Sequence, residues 1–137
     1  MINKMVYFIS GHRDLTPREF SEHYAPLLDK ILEDDLFADF VVGDWEGCDT
    51  MFLEYILSKP NYNFISIYYV DELRVRPMGS DPENFEKVFT YKLSNYNECD
   101  ETMTNVSDFD VSWIRPGKED SHTATNIKRR YLNYVKS

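Results

Sequence analysis

Long apolar runs are missing from this 137-residue chain. No stretch approaches the about 20 consecutive apolar residues that cross a bilayer. The N-terminal run is too short for a signal peptide and carries no cleavage pattern. Cysteine is scarce as well: Cys48 and Cys99 stand alone, without CxxC spacing or a histidine placed to complete a zinc site. One disulfide stays open on this count, although two isolated thiols are the usual cytosolic pattern. His12, His23 and His122 fit neither HExxH nor any other metal-ligand spacing, and neither a GxSxG elbow nor a Walker-A loop occurs. Basic residues are outnumbered, 15 Lys and Arg against 24 Asp and Glu, for a net charge of −9. Such a surface repels a phosphate backbone, which sets aside nucleic-acid duplexes as partners. The expectation is a soluble, cytoplasmic protein with no membrane, metal or cofactor.

What is present suffices for a core. The chain is 42% hydrophobic and 15% aromatic, enough apolar material for one packed domain over residues 1–137. Repeats and low-complexity segments are absent. Val6 to Ile9 is a short β-rich run suited to a strand buried on both faces. Thr16, Pro17 and Glu19 form a capping box with proline at the first helical position. Phe20, Tyr24, Leu27, Leu28 and Ile31 continue at helical spacing, which predicts a helix over 17–33 with a kink at Pro26.

Phe40 to Val42 reads as a second strand. A helix capped by Asp49 follows and stops before Pro60. Phe64 to Val70 reads as a third strand. Residues 71–94 are the least legible part; "FEKVFTYKL" within them suits a short helix or an extra strand. A helix over 98–106, a fourth strand over 110–114 and a last helix over 122–135 complete the order, with Ala124, Ile127, Tyr131 and Val135 on one stripe of that helix. Alternation of this kind predicts an α/β protein: a Rossmann-like three-layer α/β/α sandwich with a mostly parallel sheet in the order 3-2-1-4.

In an open parallel sheet, ligands bind beyond the carboxyl ends of the strands where strand order reverses. That rule selects three loops. "SGHRDLT" joins Ser10 and Gly11 to the imidazole of His12 and the guanidinium of Arg13, just before a helix start. This combination suits a phosphate or carboxylate; equally, Arg13 pairs with Asp14 or a surface carboxylate and His12 is a turn residue. "GDWEGCDT" places Gly43 and Gly47 around a turn, with Asp44, Glu46 and Asp49 able to accept from a ribose hydroxyl or base amine. Capping of the following helix is the favoured role of Asp49. In "PGKEDSHTATN", Pro116 and Gly117 end the strand, and Ser121 and Thr123 bring hydroxyls to a helix start whose free N–H groups suit phosphate. Ser121 as an ordinary N-cap and Lys118 as a solvated charge are the plainer alternatives.

Together these loops resemble the SLOG superfamily of Rossmann-like nucleotide-binding proteins, which includes LOG enzymes, DprA-like proteins and the nucleoside deoxyribosyltransferase-like group. The likeness is carried by "FISGHRDLTPREFSEHYAPLL", "FVVGDWEGCDT" and "ECDETMTNVSDFDVSWIRPGKEDSHTATNIKRR", and is strongest to small single-domain bacterial and phage proteins. The resemblance implies a pocket for a nucleotide or nucleoside-like ligand. Ser10, Gly11, His12 and Arg13 would line it from the first loop, and Gly43, Asp44, Gly47 and Asp49 from the second. Ser121 and Thr123 match a phosphate segment with Asn126 one turn on; His122 stands where that segment usually has glycine. The enzymatic branches carry a glutamate on a helix near the sugar, and "HTATNIKRR" has none.

Three expectations follow. The first is a binding or sensing module whose ligand phosphate sits between the Gly11–Arg13 loop and the start of the last helix. The second is a hydrolase or transferase acting on an N-glycosidic bond, with Asp44, Glu46 or Asp49 as the carboxylate. The third is an interaction protein whose pocket is filled by His122. Pairing of two copies through an aromatic-rich helix face is compatible with all three.

Overall fold

Residues 4–136 are described by the computed structural model. Apolar runs and capped amphipathic stretches alternate along them: β1 (Val6–Ile9), α1 (Pro17–His23), α2 (Ala25–Asp34), β2 (Asp39–Val42), α3 (Cys48–Leu57), β3 (Ile65–Val70), β4 (Val88–Leu93), α4 (Tyr96–Val106), β5 (Phe109–Val111) and α5 (His122–Lys136). All four strand pairings are parallel, in the order β4-β3-β2-β1-β5. The expected 3-2-1-4 sheet is therefore present with one strand added at its β3 edge. That strand is Val88–Leu93, out of the segment that read ambiguously. Two short 3-10 turns, Pro77–Gly79 and Pro82–Asn84, lead into it. Each begins with a proline at its first position, where the missing N–H costs nothing, and Val88 to Leu93 then pairs with β3.

Alternation along the central strands assigns the two faces. Ile9, Phe40, Val42, Ile65 and Ile67 pack with Tyr24 at the junction of α1 and α2, Leu28 of α2, and Phe52, Leu53 and Ile56 of α3. Phe8, Val41 and Val70 point the other way, onto Cys99 and Met103 of α4. β1 is thus covered on both faces, as its unbroken apolar run requires.

The capping box forms as expected: Thr16 Oγ1 accepts from the Glu19 amide at 3.1 Å and Glu19 accepts from the Thr16 amide at 3.0 Å. The helix it starts does not run through to residue 33. It ends at His23, and a second helix begins at Ala25 with proline in its first turn. Pro26 has no N–H to give, so the chain restarts a helix there instead of bending one.

Two further expectations need correction. Gly47, not Asp49, holds the N-cap position of α3; Asp49 turns its carboxylate back to accept the Trp45 amide at 3.0 Å. The stripe on α5 holds for Ala124, which is buried, but Tyr131 is 68% exposed. The side chain of Val135 lies outside the described residues.

Candidate functional site

The crevice lies where the topology rule puts it. β1 is flanked by β2 and β5, and the loops leaving these strands line a cavity of about 530 Å³. A volume of this size suits a small-molecule ligand. Ser10 to Asp14 form one wall, Gly43, Asp44, Trp45 and Asp49 the next, and Ser121, His122, Thr123 and Asn126 the third. Tyr68 of β3 and Tyr96, Cys99, Asp100 and Met103 of α4 close it. Most of the expected binding residues therefore meet in one place.

Three do not. Glu46 lies outside the cavity and forms a 3.5 Å ion pair with Arg13. Gly117 turns in open space with φ +90°. Gly47 faces the chain itself: a Cβ there would come within 2.1 Å of the Arg13 carbonyl oxygen, at φ +79°. Its role is to let the second loop press against the first. Gly11 likewise gives space to the protein, since an added Cβ would meet the Cys48 sulfur and the Tyr24 hydroxyl, both at 2.5 Å.

The walls are tied together by groups that read poorly in the sequence. Buried Tyr24 donates its hydroxyl to the Ser10 carbonyl at 2.8 Å and accepts the Trp113 amide at 3.0 Å. His12 accepts the Arg115 amide at Nε2, 2.8 Å away. That bond requires an unprotonated Nε2; burial, and then the Arg115 charge, lower the His12 pKa accordingly. Arg115 in turn makes paired hydrogen bonds to Asp14 at 3.1 Å and to Glu19 at 2.8–2.9 Å. His12 is therefore chiefly a clamp between the first and third walls, although its ring also faces the cavity.

Arg13 pairs with Glu46, not with Asp14, and lies 3.9 Å from the Trp45 ring centre. Trp45 also packs against Tyr96, at 4.7 Å, and under the Arg74 guanidinium, at 4.4 Å. Arg13 remains at the rim, with its guanidinium largely exposed. Ser121 caps α5: its Oγ accepts the Ala124 amide and its carbonyl the Thr125 amide. The two amides before these, of His122 and Thr123, have no partner within a helix. His122 itself is exposed at the mouth of the cavity, so it does not plug it.

The buried end of the cavity is acidic. Asp44 is 1% exposed and Asp49 8%, with Asp100 beside them. No salt bridge engages any of the three among the described residues. Burial raises the pKa of all three carboxyls. For Asp49 the Asp44 and Asp100 charges add to burial, against the Trp45 hydrogen bond, and its pKa is pushed up to about 7. Asp44 Oδ2 accepts the Arg74 amide at 3.3 Å, but its Oδ1 is buried without a partner. So are Ser10 Oγ and the Tyr96 hydroxyl. These are the three buried side-chain polar atoms without a partner among the described residues, and all belong to residues that line this cavity.

Comparison with protein-family models, curated proteins and solved structures finds no match to this chain. The chemistry must be read from the site itself. Burial pushes the Cys99 thiol up to about 11, so it stays protonated at neutral pH and is a poor nucleophile. No group of three or more His, Cys, Asp or Glu among the described residues is arranged to hold a metal ion. Trp45, Tyr68, Tyr96, Asp100 and Lys118 are lining residues that sequence reasoning did not select. Trp45 sits inside the "GDWEGCDT" motif and was within reach. Tyr68 and Asp100 become visible only once β3 and α4 are packed.

Proposed function

We propose that the protein binds a nucleotide or nucleoside-derived small molecule in this cavity, as a member of the SLOG type of Rossmann-like domain. The observation that carries the reading is the set of unpartnered buried polar atoms, Ser10 Oγ and Asp44 Oδ1 above all, in a cavity beyond the carboxyl ends of parallel strands. Buried polar groups are nearly always hydrogen-bonded, and a ligand supplies the missing partners. Its phosphate is held at the open end, where Arg13 and Lys118 bring positive charge and the His122 and Thr123 amides add the α5 dipole. The aromatic rings of Tyr68 and Tyr96 offer apolar surface for a base.

Thermal-shift screening against nucleotides and nucleosides tests this, because binding to the folded state alone raises the melting temperature by mass action. Arg13→Ala should weaken phosphate-bearing ligands more than their nucleosides. Equal weakening removes Arg13 from phosphate binding, and no shift with any compound leaves the interaction-protein reading standing.

One observation favours a catalytic version. A buried carboxyl raised to about 7 is poised for general acid–base work at neutral pH. We therefore keep N-glycosidic hydrolysis or transfer as the second reading, with Asp49 and Asp44 as its carboxylates. Release of free base from a nucleoside or nucleotide panel, lost in Asp49→Asn, selects it.

A further inference from the structure

The cavity is polarised, and its polarity dictates how a ligand enters. Both cationic side chains in the lining, Arg13 and Lys118, lie at the exposed mouth. At the buried end stand Asp44 and Asp49, with Asp100 beside them, and among the described residues no lysine or arginine forms a salt bridge with them. With Asp44 ionised, an anion would be repelled there, and a ligand group with only acceptors would leave Asp44 Oδ1 without a bond. A carboxylate oxygen that is buried and ionised only accepts. Ser10 Oγ, buried and also unpartnered, can give or take a bond in the same cavity.

From these placements we infer that the buried end binds a hydrogen-bond donor group of the ligand, with Asp44 Oδ1 as its acceptor, while the phosphate stays at the mouth. Two parts of a nucleotide carry such donors, the ribose diol and an exocyclic amine of the base. This inference rests on the nucleotide reading and adds the direction of binding and the chemistry of the innermost contact. The Arg74 backbone amide donates to Asp44 Oδ2, which orients the carboxylate with its other oxygen unpaired.

Isothermal titration with matched pairs tests the inference: AMP against purine riboside monophosphate, CMP against UMP, and each ribonucleotide against its 2′-deoxy form. Loss of a hydrogen bond to a buried charged acceptor should weaken binding about tenfold or more. An amine contact shows in the first two pairs and a diol contact in the ribo/deoxy pairs. Asp44→Asn, which keeps an oxygen for the Arg74 amide, should abolish that discrimination. The same variant should leave the ratio of nucleotide to nucleoside affinity intact, and its melting temperature without ligand should not fall. Ser10→Ala, a smaller change in the same place, should weaken the preferred ligand without altering the phosphate ratio. Should nucleotides bind with no preference in any pair, or should Asp44→Asn bind and discriminate like the wild type, the inference is overturned while the nucleotide reading stands. Absence of binding by every member of the panel overturns both.

Discussion

Asp49→Asn should make the protein more stable, and more so as pH rises. The wild-type carboxyl is 8% exposed, and its pKa moves from the ordinary 3.8 to about 7, chiefly by burial and then by the Asp44 and Asp100 charges. A raised pKa means that the folded state keeps a proton that the unfolded chain gives up. The stabilising effect is complete below pH 3.8, where both states are protonated, and is lost as pH climbs through about 7. At 1.4 kcal/mol per tenfold change, the full cost above pH 7 is on the order of 4 kcal/mol. Asparagine carries no charge and retains an oxygen for the Trp45 amide, but its NH₂ group must sit where a carboxylate oxygen was. A net gain of about 1–3 kcal/mol at pH 8 is the expected outcome. Urea unfolding of both proteins at intervals from pH 4 to 8 reads it directly. The difference between the two should be near zero or negative at pH 4, widen up to about pH 7, and then level off. Groups elsewhere that titrate in this range cancel in the subtraction. A difference that does not change with pH, or a variant less stable than wild type at pH 8, would refute the assignment of a costly buried carboxyl at this position.

Other perturbations probe the frame around the site. Gly47→Ala sets a Cβ 2.1 Å from the Arg13 carbonyl oxygen at φ +79°, so it should cost upwards of about 2 kcal/mol and lower the melting temperature clearly; a neutral result would mean the loops are not packed this closely. Arg115→Met removes the paired hydrogen bonds to Asp14 and Glu19 and should free Glu19. The carboxyl of Glu19 is held down at about 2 mainly by that contact, so NMR titration should find it back near the ordinary range. The Glu19 contribution to stability is present above pH 4.5 and disappears as pH falls through about 2; in Arg115→Met that acid-limb slope should be reduced. His12→Ala should loosen the third wall by removing the acceptor of the Arg115 amide, visible as faster hydrogen exchange at that amide and no change there if the bond is unimportant.

Much of the architecture was legible because it rests on short-range signals. The apolar run at Val6 to Ile9, the Thr16–Glu19 box and the strand–helix alternation each follow from local chemistry, and crossover handedness does the rest. What escaped depended on context. Val88 to Leu93 has a mixed pattern because β4 is an edge strand with one face partly exposed, as Phe89 and Tyr91 show. Its pairing with β3 is settled by the neighbour, not by the segment itself. Asp49 looked like a cap because acids favour helix starts; the choice between a cap bond and the Trp45 amide depends on how the preceding turn folds, and Gly47 with its positive φ decides that turn. Arg115 was invisible as a hub because its partners, Asp14 and Glu19, lie about a hundred positions away.

The "SGHRDLT" segment shows how a motif can mark a site without supplying most of its contacts. Gly11 makes room for Tyr24 and Cys48, His12 clamps the Arg115 amide, and Asp14 answers the Arg115 side chain. Each of these bonds is satisfied within the protein, so none needs a ligand. Ser10 is different: its carbonyl is held by Tyr24, while its hydroxyl is buried without a partner. Asp44 repeats the pattern, with one oxygen held by the Arg74 amide and the other unpaired. Leaving such groups unpaired costs about 1–3 kcal/mol each, and burying carboxyls beside one another adds to it. A sequence selected for stability alone would replace them with apolar residues of similar size, which often gains stability. The frame residues thus account for why the walls stand where they do, and the unsatisfied ones are the observation on which the proposal of a ligand rests.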